Sequence, residues 1–173
     1  MANTSYLRYT VEPWVRNELR NRYGRQFDAR CLTLSSGGTH EFDAVSDDGN
    51  VVASIKANSG LTSGGNYPTG KVATCLNEVY YLTLVDARTR LLILTNSEFH
   101  EIFQRATAGK IAPGIDVVLV PLPREMQGTV DEVTRLASQE MSQEARLAAT
   151  AVVAEEAGER GDDMPPPVNG GRI

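Results

Sequence analysis

The pattern of apolar and polar residues predicts alternating strands and helices along most of the chain. Apolar residues recur at helical spacing in the longer segments, whereas short alternating or continuous apolar runs indicate strands. Thr10 is predicted to cap the first helix and Gly24 to end it. The pattern predicts helices over residues 11–23, 71–84, 97–108 and 130–157, and strands over residues 30–34, 41–45, 51–57, 91–95 and 115–120.

Turn and capping residues support these boundaries. An Asp-Gly turn within residues 47–50 is expected to join the second and third strands as a hairpin. Thr95 with Glu98, and Thr129 with Glu132, have the spacing of capping boxes for the third and fourth helices.

The order of these elements predicts an α/β fold. One helix and three meandering strands are followed by two strands that are each preceded by a helix, which favours a mixed five-stranded sheet flanked by helices. Residues 1–125 would form this domain, and residues 126–157 a long C-terminal helix that packs on it or on a second copy. Residues 158–173 are rich in Pro, Gly and charge and are expected to be a disordered tail.

The composition is typical of a soluble globular protein. Of the 173 residues 41% are hydrophobic, and no apolar run approaches the roughly 20 residues that span a membrane. The N-terminus lacks the pattern of a secretory signal. We therefore expect a cytoplasmic protein with no membrane partner, in which Cys31 and Cys75 are reduced core residues.

The net charge of −5 is unevenly distributed. Residues 1–125 carry 13 basic and 13 acidic side chains, so the whole excess lies in residues 126–173. Six arginines fall within the first thirty residues. This local bias is compatible with phosphate contacts but is more typical of a solvated helix face.

The predicted hairpin carries the residues that point to chemistry. Because side chains alternate along a strand, Glu41 and Asp43 are expected to share one face, and so are Ser54 and Lys56 on the next strand. His40 would lie outside this face. Two carboxylates beside a lysine are a plausible arrangement for holding a divalent metal next to a scissile phosphate.

One further acid lies in the apolar stripe of the first helix. Glu18 is one turn from Trp14 and from Arg22. A carboxylate in such a place must be neutralised, paired or bound. Glu18 therefore either pairs with Arg22 or points into a site at the centre of the domain.

The predicted order of helices and strands, together with the segments HEFDAV and VVASIKA, resembles the PD-(D/E)XK nuclease superfamily. The resemblance covers about residues 8–123. The signature of that superfamily is an acid at the end of the second core strand and acid-x-Lys on the third. Asp43 matches the first acid, Lys56 the lysine, and Glu18 the helix acid of the solitary-nuclease, resolvase and restriction-enzyme branch. The resemblance implies a restriction-endonuclease-like core and a DNA endonuclease that uses Mg²⁺ or Mn²⁺, of restriction, repair or mobile-element type.

Ser54 departs from this signature, because it stands where the second acid is expected. In the first alternative, Glu78 on the following helix supplies the missing acid. In the second, Glu41 and Glu18 complete the metal shell with Asp43. The third alternative is a degenerate site in a nuclease-fold module that binds nucleic acid or protein without cutting.

The resemblance also implies roles for individual groups. Asp43 would anchor the metal, one of the other acids would add a carboxylate, and the carbonyl of Ile55 would be a third contact. Lys56 would either help to deprotonate the attacking water, with its pKa lowered by burial and the metal, or stabilise the developing charge. The Ser54 hydroxyl would hold a water on the metal.

Residues 59–70 form a Gly-rich segment that is too long for a plain connector. It is expected to border the nucleic-acid groove, where Asn66, Tyr67 and Lys71 would contact backbone or base. Cleavage of both strands by one site per chain would favour a homodimer.

Overall fold

The computed structural model describes residues 5–57, 59–60 and 65–137. Within these ranges no helix is long and apolar enough to cross a membrane. In chain order the elements are a π-helical turn Leu7–Val11, α1 Glu12–Tyr23, β1 Phe27–Thr33, β2 Thr39–Ser46, β3 Val51–Lys56, α2 Thr69–Thr83, β4 Thr89–Leu94, α3 Ser97–Thr107, β5 Ile115–Leu119 and α4 over residues 124–137.

The five strands form one mixed sheet in the order β1-β2-β3-β4-β5. The first three strands are an antiparallel meander, whereas β3, β4 and β5 run parallel. α2 and α3 connect the parallel pairs, as crossovers between parallel strands usually do. The prediction of an α/β fold with a mixed five-stranded sheet flanked by helices is therefore confirmed.

Two apolar cores lie on the two faces of the sheet. α2 and α3 cover one face, here called the α2 face, and contact Leu92 and Leu94 of β4. α1 covers the other face, here called the α1 face, together with Val130 of α4, and contacts Leu91 and Ile93. Because β4 is buried on both sides, its sequence is a continuous apolar run rather than an alternating one.

A β-bulge interrupts β2 at Asp43. Arg30 of β1 lies opposite Phe42, but Asp28 lies opposite Val45. Between these two pairs β2 therefore has one residue more than β1. Phe42 and Val45 consequently both pack on the α2 face, while Ala44 packs on the α1 face. The bulge shifts the side-chain period of β2 by one residue between Phe42 and Val45, so strict alternation does not apply across Asp43.

The N-terminal helix begins earlier than the apolar pattern indicates. Its backbone is helical from residue 5 and continues through the π-helical turn Leu7–Val11 into α1. Thr10 lies inside this turn, so the prediction that it caps the helix is wrong. Gly24 ends α1 as predicted, with φ of 66° and its N–H donating to the Arg20 carbonyl at 2.8 Å.

The C-terminal helix also begins earlier than predicted. α4 starts at residue 124, directly after Pro123, and Thr129 lies inside it with its hydroxyl donating to the Glu125 carbonyl at 3.2 Å. The predicted start at Val130 with Thr129 as its cap is therefore wrong. Val130 is fully buried, so the described part of α4 packs on the domain. The rest of the predicted helix to residue 157 and the predicted tail lie outside the described residues.

The two cysteines differ in environment. Cys75 is buried on α2, as predicted, but Cys31 is exposed. The prediction of a buried Cys31 is wrong because β1 is an edge strand whose residues 28–31 face solvent. Apolar neighbours in sequence did not distinguish an edge strand from an interior one.

Asn96, rather than Thr95, caps α3. The Asn96 side-chain oxygen accepts a hydrogen bond from the backbone N–H of Phe99 at 2.9 Å. Thr95 is 1% exposed, and its hydroxyl has no hydrogen-bond partner in the described part of the chain. The predicted capping box of Thr95 and Glu98 is therefore wrong, because the helix begins one residue later than that box requires.

This difference predicts opposite results for two neighbouring substitutions. Asn96→Ala should lower the free energy of unfolding by about 1 kcal/mol, because it removes the cap of α3. Thr95→Val should leave it unchanged or raise it, because it replaces an unpaired buried hydroxyl with a methyl group of similar size. Urea denaturation of both variants measures the two changes, and a larger loss in Thr95→Val would contradict the assignment of Asn96 as the cap.

Candidate active site

The bulge places the Asp43 carboxylate in the gap between β2 and β3. The ladder of these strands pairs Ala44 with Ala53 and Val45 with Val52. Beyond it, the backbone N–H of Ile55 donates to the Asp43 carboxylate at 2.7 Å. The side chain of Asp43 thus provides the acceptor that the backbone of β2 would provide in a regular ladder.

Glu78 of α2 lies over the end of β3 and accepts contacts from three side chains. One of its oxygens is 2.7 Å from the Lys56 ammonium. The other accepts the Ser54 hydroxyl at 3.0 Å and lies 3.2 Å from Nε2 of His40. The structure therefore brings Ser54, Lys56 and Glu78 together, with a carboxylate of α2 directly beside Ser54.

Helix α2 positions Glu78 by burying the residues on either side of it. Cys75, Val79 and Leu82 pack on the sheet, so Glu78 projects from the flank of the same face toward β3. Tyr81 stacks on the His40 ring at a centroid distance of 4.0 Å and an interplanar angle of 15°. This stack holds the imidazole where it meets Glu78.

His40 is a site residue that sequence reasoning placed outside the predicted face. It lies on the α2 face with Phe42. The rings of His40 and Phe42 meet edge to face, with their centroids 4.8 Å apart. Ser54 and Lys56 of β3 share that face, as predicted, because both reach Glu78. The sequence signal for His40 was its spacing of two residues from Phe42, a core residue of the same strand.

Lys56 and Glu78 stabilise each other in their charged forms. Burial is the largest influence on Lys56 and acts to lower its pKa, but the hydrogen bond and charge of Glu78, with the charge of Asp43, outweigh it and raise the pKa. Burial acts to raise the pKa of Glu78, but the hydrogen bond and charge of Lys56 outweigh it and lower the pKa. Burial acts to lower the pKa of Lys56 as expected, but the carboxylate beside the ammonium outweighs it, and the effect of a bound metal stays a prediction.

Asp43 faces a second acid from α1 that the sequence reasoning missed. Burial is the main cause that raises the pKa of Asp43, and the charge of Glu78 adds to it. Burial also raises the pKa of Glu12, and the charge of Asp43 is the next cause. Arg16 connects the two, since its guanidinium donates to the Asp43 carbonyl at 2.7 Å and to the Glu12 carboxylate at 2.8 Å.

Glu12, rather than Glu18, is the acid of α1 that lies near Asp43. At about 100° per residue, Glu18 is about 240° around the helix from Glu12 and projects elsewhere. Glu18 forms no hydrogen bond or ion pair with another described residue, so the predicted pair with Arg22 is absent among them. The spacing of Glu12 and Arg16 by four residues was the available signal for an ordered acid on α1.

Glu41 lies apart from this group, near the surface. Its carboxylate pairs with Arg8 at 3.1 Å, and its side chain is 58% exposed. Arg8 belongs to the π-helical turn before α1, so Glu41 projects on the α1 face of the sheet. An exposed pair of this kind contributes little to stability and leaves Asp43 with Glu12 and Glu78 as its neighbouring acids.

The three residues predicted to contact nucleic acid lie at the start of α2. Asn66 and Tyr67 are exposed, with 53% of Tyr67 accessible. Lys71 donates to the carbonyl and hydroxyl oxygens of Ser59 at 3.1 and 2.8 Å, and burial lowers its pKa. Lys71 therefore ties the segment after β3 to α2, whereas Asn66 and Tyr67 face solvent.

The donor set at Asp43 fits a single hard divalent cation. No group of three or more His, Cys, Asp or Glu side chains is arranged to hold a metal among residues 5–57, 59–60 and 65–137. Mg²⁺, however, usually takes only one or two carboxylates and keeps several waters. Asp43 and Glu12 are two neighbouring carboxylates, and after burial the charge of Asp43 is the next cause of the raised pKa of Glu12, so a divalent cation between them would relieve that repulsion.

We expect Asp43→Asn to raise the free energy of unfolding in EDTA at neutral pH. A raised pKa means that the folded protein binds this proton more tightly than the unfolded chain does, so ionised Asp43 opposes folding above that pKa. Asparagine keeps an oxygen that can accept the Ile55 N–H. Urea denaturation measures the effect, with Asp116→Asn on β5 as an exposed control. A less stable Asp43→Asn protein would contradict this account of the buried charge.

The site described above is formed by β2, β3, α1 and α2. Its central contacts are those of Asp43 with Ile55 and of Glu78 with Lys56 and Ser54. Comparison of the chain with protein-family models, with curated proteins and with solved structures gives no match.

Proposed function

We propose that this protein is a metal-dependent DNA endonuclease that hydrolyses phosphodiester bonds. The observation that carries the proposal is the position of Glu78, whose carboxylate contacts both Ser54 and Lys56. The resemblance to the PD-(D/E)XK superfamily requires an acid next to the lysine, and α2 provides one where β3 does not. The geometry therefore supports the part of the first alternative that places an acid of α2 beside Ser54, although Glu78 binds Lys56 rather than joining Asp43.

The topology supports the same proposal. A helix, a three-stranded antiparallel meander and a crossover helix leading to a parallel strand are the order that the resemblance implies. α1 and α2 lie on opposite faces of the sheet, and Asp43 lies in the gap between strands where it is electrostatically coupled to acids from both helices. The site is therefore built at the point where the meander meets the parallel part of the sheet.

Asp43 and Glu12 are the residues that would hold Mg²⁺ or Mn²⁺. The Ile55 carbonyl faces the same gap as the Ile55 N–H, because a strand residue directs both groups to the same neighbouring strand. When bound there, the cation would withdraw charge from the phosphate and favour attack by water. Arg16 fixes the backbone of Asp43 and the carboxylate of Glu12, so both acids are pre-positioned.

Lys56 is suited to stabilising negative charge on the phosphate. Its raised pKa keeps it an ammonium, which cannot accept a proton from the attacking water. The interaction with Glu78 orients it, and Ser54 and His40 in turn orient Glu78. Of the two roles considered for Lys56, this geometry favours charge stabilisation over general-base catalysis.

The second candidate function is a nuclease-fold module that binds without cutting. It is favoured by the closed ion pair of Lys56 and Glu78, in which each charge is already satisfied by the other. A substrate phosphate would have to compete with Glu78 for the ammonium. The two functions differ in whether cleavage depends on Asp43 and Lys56. Cutting both strands of a duplex from one site per chain would add a homodimer to the first proposal.

We expect the wild-type protein to nick plasmid DNA in Mg²⁺ or Mn²⁺. Asp43→Ala and Lys56→Ala should each reduce the rate by about 10²-fold or more, because Asp43 would hold the cation and Lys56 would stabilise negative charge on the phosphate in the transition state. Gel assays of supercoiled plasmid under single-turnover conditions give the rates. Equal background nicking by wild type and both variants would rule out the endonuclease and leave the binding module.

The two acids of α1 provide a sharper comparison within one helix. Glu12→Gln should reduce the rate and raise the Mg²⁺ concentration for half-maximal activity, because it removes one of the two carboxylates near Asp43. Glu18→Gln, which changes the same charge on another side of α1, should leave both quantities close to wild type. The reverse result would assign the helix acid to Glu18.

A further inference from the structure

A cleft of about 250 Å³ lies between α1 and the beginning of β1. One wall is formed by Arg16, Asn17 and Arg20 of α1, and the other includes Gln26 and Asp28. Arg16 is also the residue that holds the Asp43 backbone and the Glu12 carboxylate. The cleft and the candidate active site therefore share Arg16.

Arg20 is the cation of this cleft that is available to a ligand. Its side chain is exposed, and its guanidinium forms no hydrogen bond or ion pair with any residue in the described part of the chain. Arg16, one turn earlier, is already engaged by Glu12. The side chains of Asn17 and Gln26 likewise have no partner among the described residues, so their amides are free to donate.

This set of groups fits a singly charged phosphate. A guanidinium binds phosphate oxygens through two parallel N–H donors, and amides add neutral donors. Because Glu12 neutralises Arg16, the charges of Arg16, Glu12, Arg20 and Asp28 sum to zero, and the cleft has no surplus positive charge for a dianion. That balance matches a phosphodiester linkage, which carries one negative charge, better than a terminal phosphate, which carries nearly two.

We propose that the cleft binds a phosphodiester linkage of the polynucleotide adjacent to the linkage that is held at Asp43 and Lys56. This inference rests on the proposed function, because the active site defines which linkage is the neighbouring one. Arg20 is the principal contact, and Asn17 and Gln26 add hydrogen bonds. The cleft thereby determines the direction in which the strand leaves the site along α1.

Arg22 provides the matched control for Arg20. Both arginines lie in the last turn of α1, where a positive charge interacts favourably with the helix dipole. Arg22 points away from the cleft and lies 5.8 Å from the centre of the Tyr23 ring. Arg20→Ala and Arg22→Ala therefore remove the same charge at nearly the same place, and thermal unfolding of both verifies that neither disturbs α1.

The first experiment measures binding of a fluorescently labelled DNA duplex in EDTA by anisotropy over a range of salt concentrations. Arg20→Ala should weaken binding about tenfold and reduce the slope of log K against log [salt] by about 0.9, which corresponds to one lost phosphate contact. Arg22→Ala should change the slope by much less. Equal changes in the two variants, or no binding by wild type, would overturn the proposal.

The second experiment identifies the phosphate. A neutral methylphosphonate is placed at each linkage in turn, and binding by wild type and Arg20→Ala is compared. One linkage should show a non-additive loss, because the substitution and the modification remove the same contact. Strict additivity at every linkage would overturn the assignment. The assignment would also be overturned if inorganic phosphate competed with the DNA duplex equally strongly for wild type and for Arg20→Ala.

These measurements need no metal, so they separate the cleft from the hydrolytic activity. If wild type fails to nick plasmid but Arg20→Ala shows its selective loss of binding, the endonuclease proposal fails and the phosphate cleft is supported. If wild type nicks plasmid but Arg20→Ala and Arg22→Ala bind alike, the cleft proposal fails and the endonuclease stands.

Discussion

The hydrogen bond from the Ile55 N–H to the Asp43 carboxylate is the contact on which the rest of the site depends. A buried N–H at the end of a ladder needs an acceptor, and the bulge in β2 provides a side-chain oxygen in place of a backbone carbonyl. The same feature places a carboxylate inside the sheet, where burial raises its pKa. The cost of that buried charge explains why cations and hydrogen-bond donors are gathered around it.

Compensation comes from both faces of the sheet. On the α2 face, Lys56 stands beside Glu78, and their mutual stabilisation outweighs the burial of each. On the α1 face, Arg16 binds Glu12 and the Asp43 backbone, yet both Glu12 and Asp43 retain raised pKa values. The α2 side is therefore electrostatically satisfied, whereas the α1 side retains an excess of negative charge.

Much of the fold could be predicted from local patterns. The continuous apolar run of β4, the Asp-Gly turn and the C-terminal Gly24 of α1 each depend on neighbouring residues only, and each matches the structure. Helix starts were harder to predict, because Thr10, Thr95 and Thr129 have the right side chains for caps but lie in helical or buried backbone. Capping depends on where the chain enters a helix, and tertiary packing sets that point.

Local patterns in the chain are enough to predict the order of the elements and the presence of Asp43, Lys56 and an acid on the helix that follows them. Which acids meet depends on the folded chain, because the bulge shifts the side-chain period at Asp43 and because the angle around α1 separates Glu12 from Glu18. Contacts such as Glu78 with Ser54, and His40 with Tyr81, join residues far apart in the chain. Periodicity describes one element at a time, whereas these contacts depend on how two elements are placed against each other.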